Sequence, residues 1–440
     1  MTSPRFTLLA LGALLGGSAC LPPLAIGAPC VVDSDCTAGL ACTDRRCFAG
    51  SGEEGEGEEG EGEEGEGEGE GEGEGERGCT EATFTLVPAA NRSSVRVSSD
   101  GTRAGVCVSD ASAAPPQSGT ILFVVVDPLT GPVGEPTVLD SASGSVAACL
   151  SLAFNPTTQR HGVLYGHFAA GSAEFFFRQV DADGQLDGLA HNVVLDSPVL
   201  GLDGDFVLDS AHLLPRGDGF DLLYGVRDNV GDVLSAAAIA GLQFDANGNS
   251  SAPVVSIPDA VLDGVALLED DGAIVFGVSQ GGTVEDLVRV ARVLPSGELT
   301  LPAPTATTAG VIGTQPLPTS SGLFVVFSDQ NFDTDKIRPL VGGVDVELGV
   351  RLGGYNGTLS VARDGDTVVV AGSNAGGNEV FTGRIGAAGL SQTQVLTADH
   401  TLLSVGVTVF AGVVVVAYTR DLAAPVDNLF VGTDVRVLCP

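Results

Sequence analysis

The sequence predicts an all-β chain in which the longest part, residues 79–440, repeats one short unit. Three observations support this. No helical periodicity of useful length occurs after Cys79, short runs of β-branched residues recur, and glycine-containing turns separate them at similar intervals.

The recurring runs are interpreted as the second strand of each unit. Seven such runs can be counted, at 105–108, 163–165, 221–224, 273–276, 323–327, 367–370 and 413–416. The turn after the third strand recurs at spacings of 53, 64, 49, 46 and 46 residues, marked by Gly131, Gly184, Gly248, Gly297, Gly343 and Gly389. Four-stranded units with this period are typical of a β-propeller. The sequence therefore predicts seven blades, with a pair of β-sandwiches or a solenoid as alternatives.

The two ends of this region predict how the ring closes. A strand at 83–87 precedes the first complete unit, and the chain ends on a third strand, so 83–87 is expected to complete the last blade. Cys79 and Cys439 flank these two strands and are expected to form a disulfide, with Cys107 paired to Cys149 within or between the first two blades. Pairing Cys79 with Cys107 and Cys149 with Cys439 is the alternative.

The run 402–418 contains no charged residue and is almost long enough to cross a membrane. It includes many β-branched residues, and the spacing of the repeat continues through it. It is interpreted as two buried strands joined at Ala411 and Gly412, with a transmembrane helix as the alternative.

The first residues, 1–19, have the pattern of a secretory signal peptide. Arg5 is followed by an apolar run at 6–15 and by small residues up to Ala19. The segment Gly17-Ser18-Ala19-Cys20 resembles a bacterial lipobox, although that family prefers Leu where this chain has Gly17. The resemblance implies cleavage before Cys20, lipidation of Cys20 and a membrane anchor. Ordinary cleavage after Ala19 is the alternative. Of the nine Cys residues, lipidation of Cys20 would leave eight to pair.

A small cysteine-rich module is expected within 20–50. A segment this short cannot bury an apolar core, so two disulfides are predicted among Cys30, Cys36, Cys42 and Cys47. A zinc site is disfavoured because the module has no Cys-x-x-Cys pair and no nearby His. The spacing resembles that of short cysteine modules in bacterial surface lipoproteins.

Residues 51–78 form a low-complexity Glu and Gly linker that is predicted to be disordered. Glycine loses much entropy on ordering, and neighbouring glutamates repel each other. The run accounts for 14 of the acidic residues in a chain of formal net charge −36. This acidity disfavours nucleic acid and anionic membrane surfaces as partners. Weak binding of divalent cations by the glutamates is an alternative role.

The sequence contains no motif that predicts a catalytic site or a cofactor. The segment 181–187 places Asp181, Asp183 and Asp187 at the oxygen spacing of a calcium loop, but a hairpin turn explains the same residues. The histidines are expected at the surface or in loops: His161, His167, His191, His212 and His400.

The body resembles divergent bacterial propellers, and the whole chain resembles a bacterial surface lipoprotein. These resemblances imply a monomer in the cell envelope, anchored to the outer membrane or the cell surface by its N-terminal lipid. The propeller is then expected to bind an unknown protein or glycan. The alternative is a glycan-active hydrolase or lyase, which would be favoured if three or more Asp, Glu, His or Arg side chains met at one end of the channel.

Overall fold

A computed structural model describes part of the chain, which divides into the units Met1–Glu74 and Gly75–Pro440. The described residues are 40–43, 46–49, 81–90, 94–112, 118–169, 172–195, 206–230, 233–251, 255–268, 272–279, 285–319, 322–329, 335–348, 360–364, 367–373, 379–386, 389–397, 402–410, 412–422 and 430–439. Every regular element within these ranges is a β-strand, which confirms the all-β prediction. Several predictions fall outside the described residues, namely those on the signal peptide, the linker 51–78, Cys20, Cys30, Cys36, Cys79 and His400.

The first unit contains one described hairpin, formed by β1 (Leu40–Thr43) and β2 (Arg46–Ala49). Its register places Cys42 directly opposite Cys47.

Within the described residues, the second unit contains seven sheets of four or five antiparallel strands. Sheet 1 contains β4 (Val95–Ser99), β5 (Ala104–Ser112), β6 (Ser118–Asp127) and β7 (Gly131–Ser143). Sheet 2 contains β8 (Val146–Asn155), β9 (Arg160–Ala169), β10 (Ser172–Asp181) and β11 (Leu186–Val193). Sheet 3 contains β12 (Phe206–Arg216), β13 (Gly219–Val230), β14 (Val233–Phe244) and β15 (Val255–Pro258).

In the next two sheets, a segment that lies between two strands of sheet 4 in the sequence pairs with sheet 5. Sheet 4 contains β16 (Val261–Leu267), β17 (Ile274–Ser279), β19 (Val290–Val293) and β20 (Leu299–Thr300). The segment between β17 and β19 contributes a strand to the following sheet. Sheet 5 accordingly contains β18 (Glu285–Val288), β21 (Thr305–Thr319), β22 (Gly322–Asp329), β23 (Asp335–Pro339) and β24 (Val346–Glu347).

The last two sheets complete the second unit. Sheet 6 contains β25 (Ser360–Asp364), β26 (Thr367–Ser373), β27 (Glu379–Gly386) and β28 (Gly389–Thr397). Sheet 7 contains β29 (Leu402–Phe410), β30 (Val413–Leu422), β31 (Phe430–Leu438) and β3 (Ala82–Ala90). The run 402–418 is therefore two paired strands, as predicted. Among the residues that the structure describes, no helical segment has the length and hydropathy that crossing a membrane requires.

The sheets are arranged around a common axis. The first strands β4, β8, β12, β16 and β21 contact one another in succession, β21 contacts sheet 6 through β26, and β25 contacts β29. Strand β29 in turn contacts β4, which returns the arrangement to sheet 1. This confirms the propeller-like class. Each of the seven predicted second strands overlaps the second strand of a sheet, and the one predicted at 273–276 starts one residue before β17.

Apolar cores lie between neighbouring sheets. Between sheets 2 and 3, for example, the buried ring of Phe177 stacks on that of Phe244 with 4.1 Å between centroids, and Phe220 packs beside them. Similar clusters lie between sheets 1 and 2, 3 and 4, 4 and 5, 6 and 7, and 7 and 1. Each sheet therefore depends on its neighbours to cover its apolar faces.

Sheet 7 closes the second unit with residues from both of its ends. Strand β3 pairs with β31, and Thr85 Oγ1 donates a 2.8 Å hydrogen bond to Asp434 Oδ1 across this pair. The strand predicted at 83–87 is thus the outer strand of the last sheet, which confirms that prediction.

A disulfide joins Cys107 on β5 to Cys149 on β8, with 6.1 Å between their Cα atoms. It links sheet 1 to sheet 2, which confirms the predicted pair and excludes the alternative pairing. Cys439 is also disulfide-bonded. Its expected partner, Cys79, lies outside the described residues.

Serine hydroxyl groups join the first strands of neighbouring sheets, and we call these contacts the inner serine seam. They occur at five junctions, including the one between sheets 7 and 1. A serine Oγ accepts a hydrogen bond from the backbone of the next sheet at four of them: Cys149 N to Ser94 (2.7 Å), Leu213 N to Ser151 (2.8 Å), Val407 N to Ser360 (2.9 Å) and Val95 N to Ser404 (3.4 Å). Ser210 Oγ donates to Leu262 O (3.2 Å).

Candidate functional site

The first strands of the sheets contact one another in succession, and we call the space that they enclose the channel. Five of these strands depart from regular pairing. The register shifts between Cys149 and Ser151, Leu208 and Ser210, Leu262 and Val265, Ile312 and Thr314, and Leu402 and Ser404. A bulge leaves a residue out of the ladder and frees its backbone groups for other partners. The channel wall therefore offers backbone acceptors that a regular sheet edge would not.

Arg96 uses one of these acceptors. Its neighbours Val95 and Val97 belong to the apolar core between sheets 7 and 1, so the alternation of the strand turns Arg96 towards sheet 2. The Arg96 Nε atom donates a 2.9 Å hydrogen bond to the carbonyl oxygen of Leu150, which is the bulged residue of β8. Arg96 Nη1 donates to Val95 O at 2.8 Å and to Ser404 Oγ at 3.4 Å. The guanidinium group is thus held by groups from sheets 1, 2 and 7.

The acceptors of Arg96 are all neutral. Within the described residues, Arg96 has no ion pair and its Nη2 atom has no hydrogen bond. Burial lowers the pKa of Arg96 below its usual value, because a charged group is less stable where water is partly excluded. The site therefore contains a cation whose charge no described acidic side chain balances.

His212 on β12 is the second ionisable side chain of the channel. Ala211 and Leu213 pack against the core between sheets 2 and 3, so His212 faces the other way. Its pKa is lowered to about 4, first by burial and then by the positive charge of Arg96. The two side chains are thus electrostatically coupled, and the imidazole is neutral at pH 7. Neither ring nitrogen has a hydrogen bond to a described residue.

Acidic residues at neighbouring bulges have partners of their own. Asp209 Oδ2 accepts a 3.0 Å hydrogen bond from Arg227 Nη2, and Asp263 Oδ1 accepts one of 3.2 Å from Ser279 Oγ. The described first strands therefore carry acidic as well as basic side chains.

A second histidine, His161, is buried between sheets 1 and 2. Its Nδ1 atom lies 2.9 Å from Ser98 Oγ, and its ring lies against those of Phe123 and Phe154. His167 on the same strand is also buried. The expectation that these two histidines lie at the surface or in loops is therefore wrong. The reason is the alternation of β9, which turns both side chains towards sheet 1.

The buried His161 predicts a pH-dependent stability. Burial is the largest cause that lowers its pKa, to about 4; the negative charge of Asp100 opposes this shift and the positive charge of Arg103 adds to it. The unfolded state, with the usual pKa near 6.5, therefore binds more protons between pH 6.5 and 4. We expect the free energy of unfolding to fall by about 3 kcal/mol over this window because of His161.

Urea unfolding at several pH values measures this effect. The variant His161→Gln cannot titrate and should show a smaller loss of stability between pH 6.5 and 4, although it is less stable at every pH. Above pH 7, the free energies of unfolding of wild type and His161→Gln should change with pH in parallel. If they also change in parallel below pH 6.5, His161 is not the group that causes the loss of stability.

His167 belongs to a separate cluster at the same pair of sheets. Its Nε2 atom lies 3.2 Å from Asp140 Oδ2, and Tyr165 donates its hydroxyl proton to the same oxygen at 3.1 Å. Burial and then the charge of Asp140 raise the pKa of Tyr165, so its hydroxyl remains protonated. The cluster ties β7 of sheet 1 to β9 of sheet 2, and we assign it a structural role.

The candidate calcium residues lie at the hairpin between β10 and β11. Asp181 Oδ1 accepts hydrogen bonds from the backbone N–H groups of Asp183 (3.0 Å) and Gln185 (2.7 Å), and Gly184 has a φ of +82°. Asp183 and Asp187 form ion pairs with Arg103 and Arg160. These contacts are those of a β-turn. No group of three or more potential metal ligands occurs among the residues that the structure describes.

The sequence analysis did not single out Arg96 or His212 as channel residues. The sequence feature that could have indicated Arg96 is a basic residue between two valines in a short strand, since the chain has only 20 basic residues. That pattern identifies a charged side chain on a buried strand, but it does not reveal which neighbouring sheet the side chain meets.

The fold and the channel define the class of this chain as an all-β propeller-like protein. No protein-family model matches the chain, and no curated protein sequence is significantly similar to it. Among solved structures it is similar to the subtype N10 neuraminidase-like protein of A/little yellow-shouldered bat/Guatemala/060/2010, with a TM-score of 0.41 and 10% identity over 82% of this chain and 98% of that one.

Two further structures are similar at the same level. One is Trypanosoma rangeli sialidase in complex with the inhibitor DANA, with a TM-score of 0.42 and 9% identity over 68% of this chain and 56% of that one. The other is the Glu150Asp mutant of the Synechocystis apocarotenoid oxygenase, with a TM-score of 0.39 and 11% identity over 60% of this chain and 62% of that one. These similarities are too weak to transfer any activity.

Proposed function

We propose that this protein is a binding module of the bacterial cell envelope, in which the seven sheets form one seven-bladed ring that captures a protein or glycan at its axial channel. The observation that carries this proposal is the set of unused hydrogen-bond donors and acceptors at Arg96 Nη2 and His212. Polar groups that are partly buried and unsatisfied favour a ligand that supplies their missing partners.

The N-terminal region suggests how the module is presented. In this proposal the signal peptide 1–19 is removed, Cys20 carries lipid, and the cysteine-rich module 20–50 lies next to the membrane. The linker 51–78 then allows the ring to extend away from the membrane, because a chain of Glu and Gly residues resists folding. A disulfide between Cys79 and Cys439 would secure the start of the ring to its end. Mass spectrometry of the mature N-terminus tests the anchor, and an unmodified Cys20 would refute it.

A binding screen with the full mature chain tests the central proposal. We suggest immobilised envelope polysaccharides and envelope proteins as probes, with wild type compared to His212→Ala and His191→Ala. His212 lies at the channel, whereas His191 lies on the outer strand β11. Loss of a captured ligand in His212→Ala alone would support the channel as the binding site.

The same screen can refute the proposal. Equal capture by all three proteins would place recognition outside the channel. Chemical turnover of a glycan without a stable complex would favour the hydrolase or lyase alternative instead.

A further inference from the structure

The chemistry of Arg96 identifies a class of ligand for the channel. We infer that the channel binds a ligand through an oxyanion, a carboxylate, sulfate or phosphate group, held by Arg96 Nη2. The inference rests on the proposed binding function and makes it more specific.

The first argument is that Arg96 is oriented before any ligand arrives. Its Nε and Nη1 atoms donate to Leu150 O, Val95 O and Ser404 Oγ, which belong to three different sheets. These three contacts fix the plane of the guanidinium group and leave the two N–H bonds of Nη2 without a described acceptor. A side chain that is already immobilised loses little entropy on binding, which favours affinity.

The second argument is charge. Each described acceptor of Arg96 is a carbonyl or a hydroxyl group, so the hydrogen bonds satisfy donors without neutralising the cation. The other described arginines beside the first strands differ in this respect: Arg227 is paired with Asp209, and Arg216 with Asp221. A charge-assisted hydrogen bond to an anion is stronger than one to a neutral group. An anionic ligand therefore gains more at Arg96 than a neutral ligand of the same shape.

The third argument concerns the rest of the channel. The acidic groups of the neighbouring bulges, Asp209 and Asp263, are engaged by Arg227 and Ser279. His212 is neutral at pH 7 and can donate one ring N–H to an oxyanion. The chain as a whole has a formal charge of −36, which repels anions at long range. Recognition of an anion thus depends on the short-range contacts at this one site.

Calorimetric titration of the full chain with acetate, sulfate and inorganic phosphate tests the inference. We expect wild type to bind at least one of these anions and Arg96→Gln to bind it at least about tenfold more weakly, as expected for loss of one charge-assisted hydrogen bond. The matched control is Arg436→Gln on the third strand β31 of sheet 7, which removes an arginine that already has an acidic partner, Glu81, and should change the affinity by less than about twofold.

Arg96 also contributes to structure, so its variants need a folding check. Near-ultraviolet circular dichroism should show that Arg96→Gln is folded at the titration temperature. If it is not, the guanidinium proton signals of Arg96 in wild type provide the second test, since those of Nη2 should shift on addition of the anion while that of Nε should not.

The outcomes separate the two proposals. Binding of no anion by wild type, or equal weakening by Arg96→Gln and Arg436→Gln, would overturn this inference. If the binding screen then identifies a neutral ligand that His212→Ala loses, the proposed function stands without it. Anion binding that requires Arg96 supports both.

Discussion

Removal of the disulfide between Cys107 and Cys149 is expected to lower the free energy of unfolding by about 4 kcal/mol, from the loop-entropy model for a separation of 42 residues. Both cysteines are buried in the core between sheets 1 and 2. Without the bond, the unfolded chain regains the freedom that the closed loop had removed. The measurement is denaturant unfolding of the double variant Cys107→Ala/Cys149→Ala against the oxidised wild type.

A single variant separates the bond from the packing. Cys107→Ser lacks the same bond and removes less side-chain volume than the double variant, but it buries a hydroxyl group, so it should lose at least as much stability. If the double variant unfolds within about 1 kcal/mol of wild type, the disulfide contributes little beyond its packing.

Replacing Gly277 with Ala should be strongly disruptive, with a loss of about 3 kcal/mol. Gly277 lies on β17 of sheet 4, where a Cβ atom would approach the backbone oxygen of Thr314 on β21 to 2.1 Å. A flexible side chain could move aside, but a backbone carbonyl cannot move without shifting its strand. The clash would therefore force sheets 4 and 5 apart, and thermal unfolding should report a lower midpoint.

Gly134 provides the matched control. Gly134 has a φ of +73°, which Asn tolerates better than most residues. A Cβ atom added at this position would have no other atom within 4 Å, so the side chain of Gly134→Asn would cause no clash. We expect it to change the free energy of unfolding by less than about 1 kcal/mol. Equal stabilities of Gly277→Ala and wild type would show that sheets 4 and 5 can separate at low cost.

The sequence predicted the features of the fold that depend on local pattern. The β-branched run at 413–416 and the glycine at 412 were enough to locate a second strand and its turn, because a period of two residues and a positive φ have clear sequence marks. The closing strand at 83–87 followed from the order of strands at the two ends of the chain. The disulfide between Cys107 and Cys149 followed from the expectation that Cys79 and Cys439, which flank the two closing strands, pair with each other.

The candidate site could not be predicted in the same way. Arg96 acquires its role from a carbonyl on sheet 2 and a hydroxyl on sheet 7, and Ser404 is 308 residues away along the chain. His161 was misjudged for the same reason, since the residues that bury it belong to another sheet. Bulges such as that at Leu150 also leave no clear mark in the sequence, because almost any residue can occupy them.

The inner serine seam has a mechanical consequence for the ring. Core side chains can slide or change rotamer while they remain in contact, but a hydrogen bond such as the 2.8 Å one from Leu213 N to Ser151 Oγ tolerates little change in length. Bonds of this kind join neighbouring sheets at five junctions in the described residues, including the one at Ser404 where sheet 7 meets sheet 1. At these junctions the first strands are therefore expected to keep a constant spacing while the outer strands move.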